Sequence, residues 1–493
     1  MKGIGRVAGL GTLLCMASIA PTAASTGQAP PAELVNALRA QDCLAVPALA
    51  ERRISENARI GSRQTDQILI EMAAYCAYQA NDEQRAYQFT RIANRLPDAS
   101  HLAWAFSLWW EAMHGTGSAG LDTLTRMSRE RPDFFNGLYQ STLNGLDARF
   151  EKEGLVAERL SLLKILSTDF VPTDLFQSAD EFRVRYAGLL VEQGDPAQAR
   201  ATLARLTEPV WFLQASLDPR LRTLMPANLD LRGRVEADLL RAQAAQRAHP
   251  RQIAPLLWMA ANLRMLGRFD EALATLLSAQ QGEGGPATYE DAQDKLNWWW
   301  DSLAKTHYLL GHESDMVAAY TRAANIGEGG GANISQVLNL AGRQLSLGHA
   351  RIALDMLAPF DVSSPDVSPY GQIVARSIRG CAAYLLGRTE EAQADLAYLI
   401  AHRDDGPGGI VEEVYLCMDD PDRAASDYIA HLGDPRKQAD ARLSLAETDP
   451  MPAHLQADPM TRRLPELRAR PDVQAALERA GGVPRIPLMR TDF

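Results

Sequence analysis

The sequence predicts an all-α fold, an α-solenoid of antiparallel helix pairs stacked side by side. Three observations carry that expectation. Beyond residue 24, Ala, Leu, Arg, Glu and Gln dominate, and apolar residues recur at three- and four-residue spacing in segments about a dozen residues long that end at Gly, Pro or Asp. Strand signals are scarce: a short run such as Val210 to Leu213 could be extended, but a sheet needs many more. The third observation is internal self-similarity, the mark of a repeat architecture.

At the N-terminus, Lys2 and Arg6 precede an apolar run from Val7 to Ala20, and small residues follow at Thr22, Ala23 and Ala24. This is the order of a secretory signal peptide, with cleavage expected after Ala24. The run is shorter than the roughly 18 residues a membrane-spanning helix needs, and no comparable run follows, so no integral membrane segment is expected in the mature chain. Cys15 follows Leu14, where a lipid-anchored cysteine wants a small residue, so an anchor is not expected. The mature protein is expected to be periplasmic or secreted. The whole chain of 493 residues carries a net charge of −11, and removal of Lys2 and Arg6 makes it more acidic. An acidic surface argues against nucleic acid or anionic lipid as the partner.

Helix follows helix along the mature chain. In Pro255 to Ser278, Leu256, Met259, Ala260 and Leu263 share one stripe, Gly267 ends that helix, and Ala272, Leu273, Leu276 and Leu277 form the next stripe. Trp300, Leu303, Ala304, His307, Gly311, Met316, Tyr320 and Ala323 stand at offsets that resemble the tetratricopeptide pattern, with His307 and Met316 departing from it. Trp104, Leu108, Gly115, Gly120, Leu124 and Pro132 repeat those offsets; further copies centre on Gly194, Gly267, Gly348 and Gly387, and one around Asn81 has Asn in place of the turn glycine. The resemblance implies a TPR-like superhelix. Small residues let two backbones approach, the glycine closes the first helix, and stacking buries faces that one pair alone leaves open.

Gly267, Gly311, Gly348 and Gly387 are 44, 37 and 39 residues apart, so extra loop residues are expected at Gly282 to Pro286 and Gly327 to Gly331. The chain is thereby expected to comprise a signal peptide (1–24), an N-terminal helical array (25–207), an irregular helical connector (208–251), a C-terminal array (252–433) and a capping or tail segment (434–493). The connector contains Leu217-Asp218-Pro219-Arg220-Leu221, and Asp458-Pro459-Met460 and Pro471-Asp472-Val473 in the last segment have a related look.

Four cysteines remain after cleavage, and an exported protein meets an oxidising compartment. Cys43 and Cys76 are 33 residues apart, Cys381 and Cys417 36, close to one repeat in each case. Three connectivities are formally open. The spacing favours Cys43 with Cys76 and Cys381 with Cys417, against four buried free thiols.

Catalytic signatures are weak. Gly115 to Gly120 matches a dinucleotide-binding string, but the residues before it read as a helix where that motif needs a strand, so no cofactor is expected. His307 and His312 are five apart, which rotates them off a common helical face, and no metal site is predicted. His402-Arg403-Asp404 lacks the other parts of a kinase, and Asn333-Ile334-Ser335 reads as a polar helix start.

Two functions remain. In the tetratricopeptide family, positions 2, 5, 9 and 12 of each first helix line a concave groove for an extended peptide or partner helix. Counted on this sequence, those positions give Glu71, Tyr75 and Tyr78, then Trp109, then Trp298, Asp301, Lys305 and Tyr308, and finally Tyr384. The resemblance thus implies an interaction scaffold with a protein or peptide partner and an aromatic-rich groove. Trp298 and Tyr308 stand about 80° apart around their helix, at the edges of one face. The other reading of these rings is that they are core. The other function is a periplasmic enzyme, or enzyme subunit, acting on cell-wall or surface polymer, which would need two converging carboxyls of raised pKa.

Overall fold

The computed structural model describes residues 36–37, 40, 42–56, 64–115, 117–174, 177–226, 229–281, 284–327, 333–364, 367–403, 406 and 408–491. The signal-like segment with its expected cleavage site, and most of the two expected loop insertions, lie outside the described residues. The chain forms two compact units that divide between Phe182 and Arg183.

The first unit contains α1 (Val46–Glu56), α2 (Gln64–Gln79), α3 (Glu83–Ala93), α4 (His101–Met113), α5 (Gly117–Glu130), α6 (Pro132–Phe135), α7 (Gln140–Lys152), α8 (Val156–Thr168) and the start of α9 (Asp180–Glu192). Helices α2 and α3, α4 and α5, and α7 and α8 pack as consecutive antiparallel partners. Asn81 takes a left-handed φ of 59° where the other copies use glycine, and the Asp82 carboxylate then caps α3 by accepting the Arg85 N–H at 3.0 Å. The last four residues of the dinucleotide-like string, Gly117 to Gly120, are the first turn of helix α5. A Cβ on Gly117 would stand 2.4 Å from the Phe150 ring and one on Gly120 3.1 Å from Leu146, so these glycines let α5 lie close to α7. Cys43 is bonded to Cys76, with Cα atoms 5.0 Å apart, which ties the segment before α1 to α2.

The second unit runs from α9 through α10 (Pro196–Leu203), α11 (Pro209–Leu217), a 3₁₀ turn at Arg222–Leu224 and α12 (Leu231–Ala248). Five helix pairs follow: α13 (Ala254–Met265) with α14 (Phe269–Leu277), α15 (Ala292–Leu310) with α16 (Glu313–Ala324), α17 (Ile334–Ser346) with α18 (Ala350–Leu357), α19 (Pro369–Leu385) with α20 (Thr389–Ala401), and α21 (Ile410–Cys417) with α22 (Pro421–Gly433). One device closes every first helix. The turn residue, Gly267, Gly311, Gly348, Gly387 or Asp419, is left-handed with φ between 62° and 86°, and the next residue donates its N–H to a carbonyl five positions back. Those bonds, Arg268 to Leu263, His312 to His307, His349 to Gln344, Arg388 to Ala383 and Asp420 to Tyr415, measure 2.8 to 2.9 Å. Fully buried alanines at Ala260, Ala304, Ala341 and Ala383 let the helices touch. Asn333 caps α17 through its side chain, accepting from the Gln336 N–H. Cys381 in α19 is bonded to Cys417 in α21, with Cα atoms 5.8 Å apart.

After α23 (Gln438–Ser444) come strand β1 (Glu447–Asp449), a 3₁₀ turn at Ala453–Leu455, α24 (Leu464–Arg468), α25 (Pro471–Arg479) and strand β2 (Arg485–Met489). The strands pair in parallel, Glu447 opposite Arg485 and Thr448 opposite Ile486. This last segment turns back along the row of helix-closing turns. His454 lies over Gly311, Met489 over Gly267, and Ala457, Pro459 and Arg462 share a cleft with His349 and Leu386. Arg222 and Arg442 knit it to α11 and its following turn, Arg222 donating to the Ala480 carbonyl at 2.6 Å and Arg442 to that of Leu217 at 3.1 Å.

Candidate functional site

In the first unit, α2 and α4 are the first helices of successive pairs, and each has a core face and an aromatic face. On α4 the core face carries Trp104, 2% exposed, with the Arg126 guanidinium over its ring. Trp109, five residues on, points about 140° away. It belongs to a run of half-buried rings: Tyr78 of α2 meets Phe106 edge-on at 5.6 Å, Phe106 meets Trp109 at 5.3 Å, and Trp109 meets Trp110 at 6.3 Å. Trp110 is held between two further rings, stacked on Tyr87 of α3 at 5.6 Å and on the exposed His114 at 4.2 Å.

A polar pair of a buried carboxyl and a half-buried phenol pins one end of this run. Glu111 is 2% exposed and accepts the Tyr87 hydroxyl at 2.9 Å. Burial pushes the Glu111 carboxyl above its ordinary range, and burial together with Glu111 pushes the Tyr87 phenol up to about 12. Tyr75 is half-buried and packs against the core of α2 and α3. Glu71, next to it in the groove count, is engaged: it accepts the Ser100 N–H at 2.8 Å and the Gln67 amide at 3.2 Å. The structure therefore gathers Tyr78 and Trp109 onto one surface and adds Phe106, Trp110 and Tyr87. Position counting passes over Phe106 because it is not a groove position of the family; its apolar bulk beside three nearby aromatics was the available signal.

In the second unit the counted positions part company. Trp298 keeps 38% of its surface exposed. Asp301 is buried, with the Lys305 ammonium at 2.9 Å and the Asn339 amide donating at 2.8 Å, so both charged groove positions are already paired. Tyr308 is buried beneath the returning C-terminal segment: His454 Nε2 lies 2.9 Å from its carbonyl oxygen, and the Arg343 guanidinium is 4.7 Å from its ring centre. Tyr384 is partly buried against the core of α19 to α22.

The last helix pairs also line a cleft of about 190 Å³. Glu412 is buried there, with His431 Nδ1 3.3 Å from its carboxylate, and burial raises its pKa. Its sequence neighbour Glu413 is raised by burial to about 7 but is not among the cleft residues and faces Arg490 at 3.7 Å. Asp440, also at the cleft, accepts from Gln214 at 2.8 Å and serves to bind α11 to α23.

Among the described residues no helix is long and apolar enough to cross a membrane. The geometry defines a class of protein, a tetratricopeptide-like solenoid of antiparallel helix pairs with an aromatic surface on its first unit. No protein-family model and no curated protein matches the chain. Among solved structures it is similar to the APC/C hetero-tetramer Cut9-Hcn1, with 11% identity over 91% of this chain and 95% of that one and a TM-score of 0.30. It is also similar to Naa15/Naa10 bound to HypK-THB, with 11% identity over 91% of this chain and 90% of that one and a TM-score of 0.24. At these values the likenesses say nothing about what this chain binds.

Proposed function

We propose that the protein is an exported, non-catalytic interaction scaffold that binds an extended peptide segment of a protein partner on the aromatic surface of α2 and α4. The observation that carries this reading is the unbroken run of half-exposed rings Tyr78, Phe106, Trp109 and Trp110 across two consecutive first helices. A solenoid buries its apolar faces on its neighbours, and Tyr78 and Phe106 rest one side on the core of α2 and α3 while the run keeps its other side toward water. They offer large apolar area at small ordering cost, the usual chemistry of a peptide-binding hot spot. Pinning of Tyr87 by Glu111 makes the surface pre-organised, which lowers the cost of binding.

Export is supported by the order of charges and apolar residues at the N-terminus, and two cysteine bridges suit an oxidising compartment. The test is recovery of what co-purifies with the mature protein from its native envelope, using wild type, Trp109→Ala and Trp298→Ala. Loss of the partner with Trp109→Ala and retention with Trp298→Ala is expected. Retention of the same partner by both variants would refute the assignment to α2 and α4.

A further inference from the structure

We propose that His307, His312 and Asp315 form a binding site for a divalent transition-metal ion, zinc in the first instance, at the turn between α15 and α16. On one continuous helix, residues five apart point about 140° away from each other. The helix is not continuous. It ends at Leu310, Gly311 turns left-handed with a φ of 77°, and the His312 N–H bonds back to the His307 carbonyl at 2.9 Å. That reversal sets the two imidazoles side by side, with their Nδ1 atoms 3.4 Å apart. Asp315, in the first turn of α16, completes the group: one ligand atom from each of the three residues lies within 4.8 Å of the others.

The spacing is that of a coordination sphere. Around tetrahedral zinc with Zn–N bonds of about 2.0–2.1 Å, two ligand nitrogens stand about 3.3–3.4 Å apart. Two imidazoles and a carboxylate are also the donor set that zinc and its neighbours accept, where calcium or magnesium would want oxygen. His312 and Asp315 are exposed and His307 is half-buried, so an ion can enter and a fourth position stays open to water or to a group from a partner.

The repeat itself does not ask for these residues. Where this turn has His307, the turns inside the other four helix pairs from α13 to α22 have Leu263, Gln344, Ala383 and Tyr415; where it has His312 they have Arg268, His349, Arg388 and Asp420. At the place of Asp315 stand Glu271, Ile352, Glu391 and Arg423, so none of these four turns brings the three donors together. Glu313, also in the first turn of α16, lies 3.3 Å from His349 and is left out of the set.

The experiment titrates zinc alone into the full chain, prepared without an affinity tag, in competition with a chromophoric chelator. Wild type is expected to take up one equivalent, and His312→Ala and Asp315→Asn to weaken that binding at least tenfold, with helical circular dichroism unchanged because both side chains are exposed. Cobalt in place of zinc should give the visible bands of a four-coordinate site in wild type and lose them in both variants. Should His312→Ala disturb the fold, Asp315→Asn keeps the backbone and the comparison. Absence of a saturable equivalent in wild type, or equal affinity in wild type and Asp315→Asn, would overturn the proposal.

Discussion

Trp298, Trp299 and Tyr308 on α15 sit in different environments, and removing them one at a time tests the register of that helix. Trp299 is fully buried, donates its Nε1–H to the Leu276 carbonyl at 3.1 Å and meets Trp300 edge-on at 4.6 Å. Trp299→Ala leaves a cavity worth about 3–5 kcal/mol and a carbonyl short of one partner worth about 1 kcal/mol more. The substitution should therefore cost about 4–6 kcal/mol, enough to leave little of the stability of an ordinary domain. Trp298, 38% exposed, should cost no more than about 1 kcal/mol on the same change. Tyr308, buried under the C-terminal segment, should cost about 3 kcal/mol. Urea unfolding followed by circular dichroism reads all three, with the slope of the transition used to check that the unfolded state is unchanged. Equal losses for Trp298→Ala and Trp299→Ala would refute this register.

Non-reducing peptide mapping should recover Cys381 linked to Cys417, and replacing both by Ser should cost about 2–4 kcal/mol of unfolding free energy, measured against the oxidised wild type. Glu413 gives a pH signature. Its pKa rises on folding from the usual carboxylate value to about 7, so the folded state holds the proton more tightly; the contribution is complete below the unfolded pKa and is lost as pH climbs toward 7. With a fifth of the side chain still exposed, that loss is about 1–3 kcal/mol, and Glu413→Gln should abolish it in melting curves taken from pH 4 to pH 8. A reporter fused to residues 1–30 should be exported and trimmed after Ala24, and a soluble cytoplasmic product with Met1 intact would end the export reading.

The fold was legible because what specifies it is local. A turn residue, a small residue on each helix and a stripe of apolar residues lie within forty positions of one another, and the left-handed φ at Gly267, Gly311, Gly348 and Gly387 is what those glycines announce. Which groove positions face water was not legible, because it depends on distant chain. Tyr308 and Trp298 count onto one face of α15, yet His454, 146 residues downstream, reaches the Tyr308 carbonyl, and Asp458 of the same segment acts on its phenol. Asp301 is occupied by Asn339 from the next pair, a contact that spacing alone does not announce. The His307 and His312 pairing was obscured by treating both as helical; the αL turn at Gly311 changes the angle between them. Phe106 was passed over because the family's position count, rather than the run of neighbouring aromatics, chose the candidates.

The central claim is that the water-facing sides of the rings of α2 and α4 serve binding. An extended peptide selected by display against the mature protein supplies the ligand, and its dissociation constant with wild type, Phe106→Ala and Trp109→Ala is the most direct test. A ring that anchors a ligand is worth about 2 kcal/mol, which is about a thirtyfold weakening, and a half-exposed ring should leave the melting temperature within a few degrees of wild type. The account predicts that thirtyfold loss for each variant at nearly constant melting temperature. A lowered melting temperature with an unchanged dissociation constant would assign the rings to the core and contradict it.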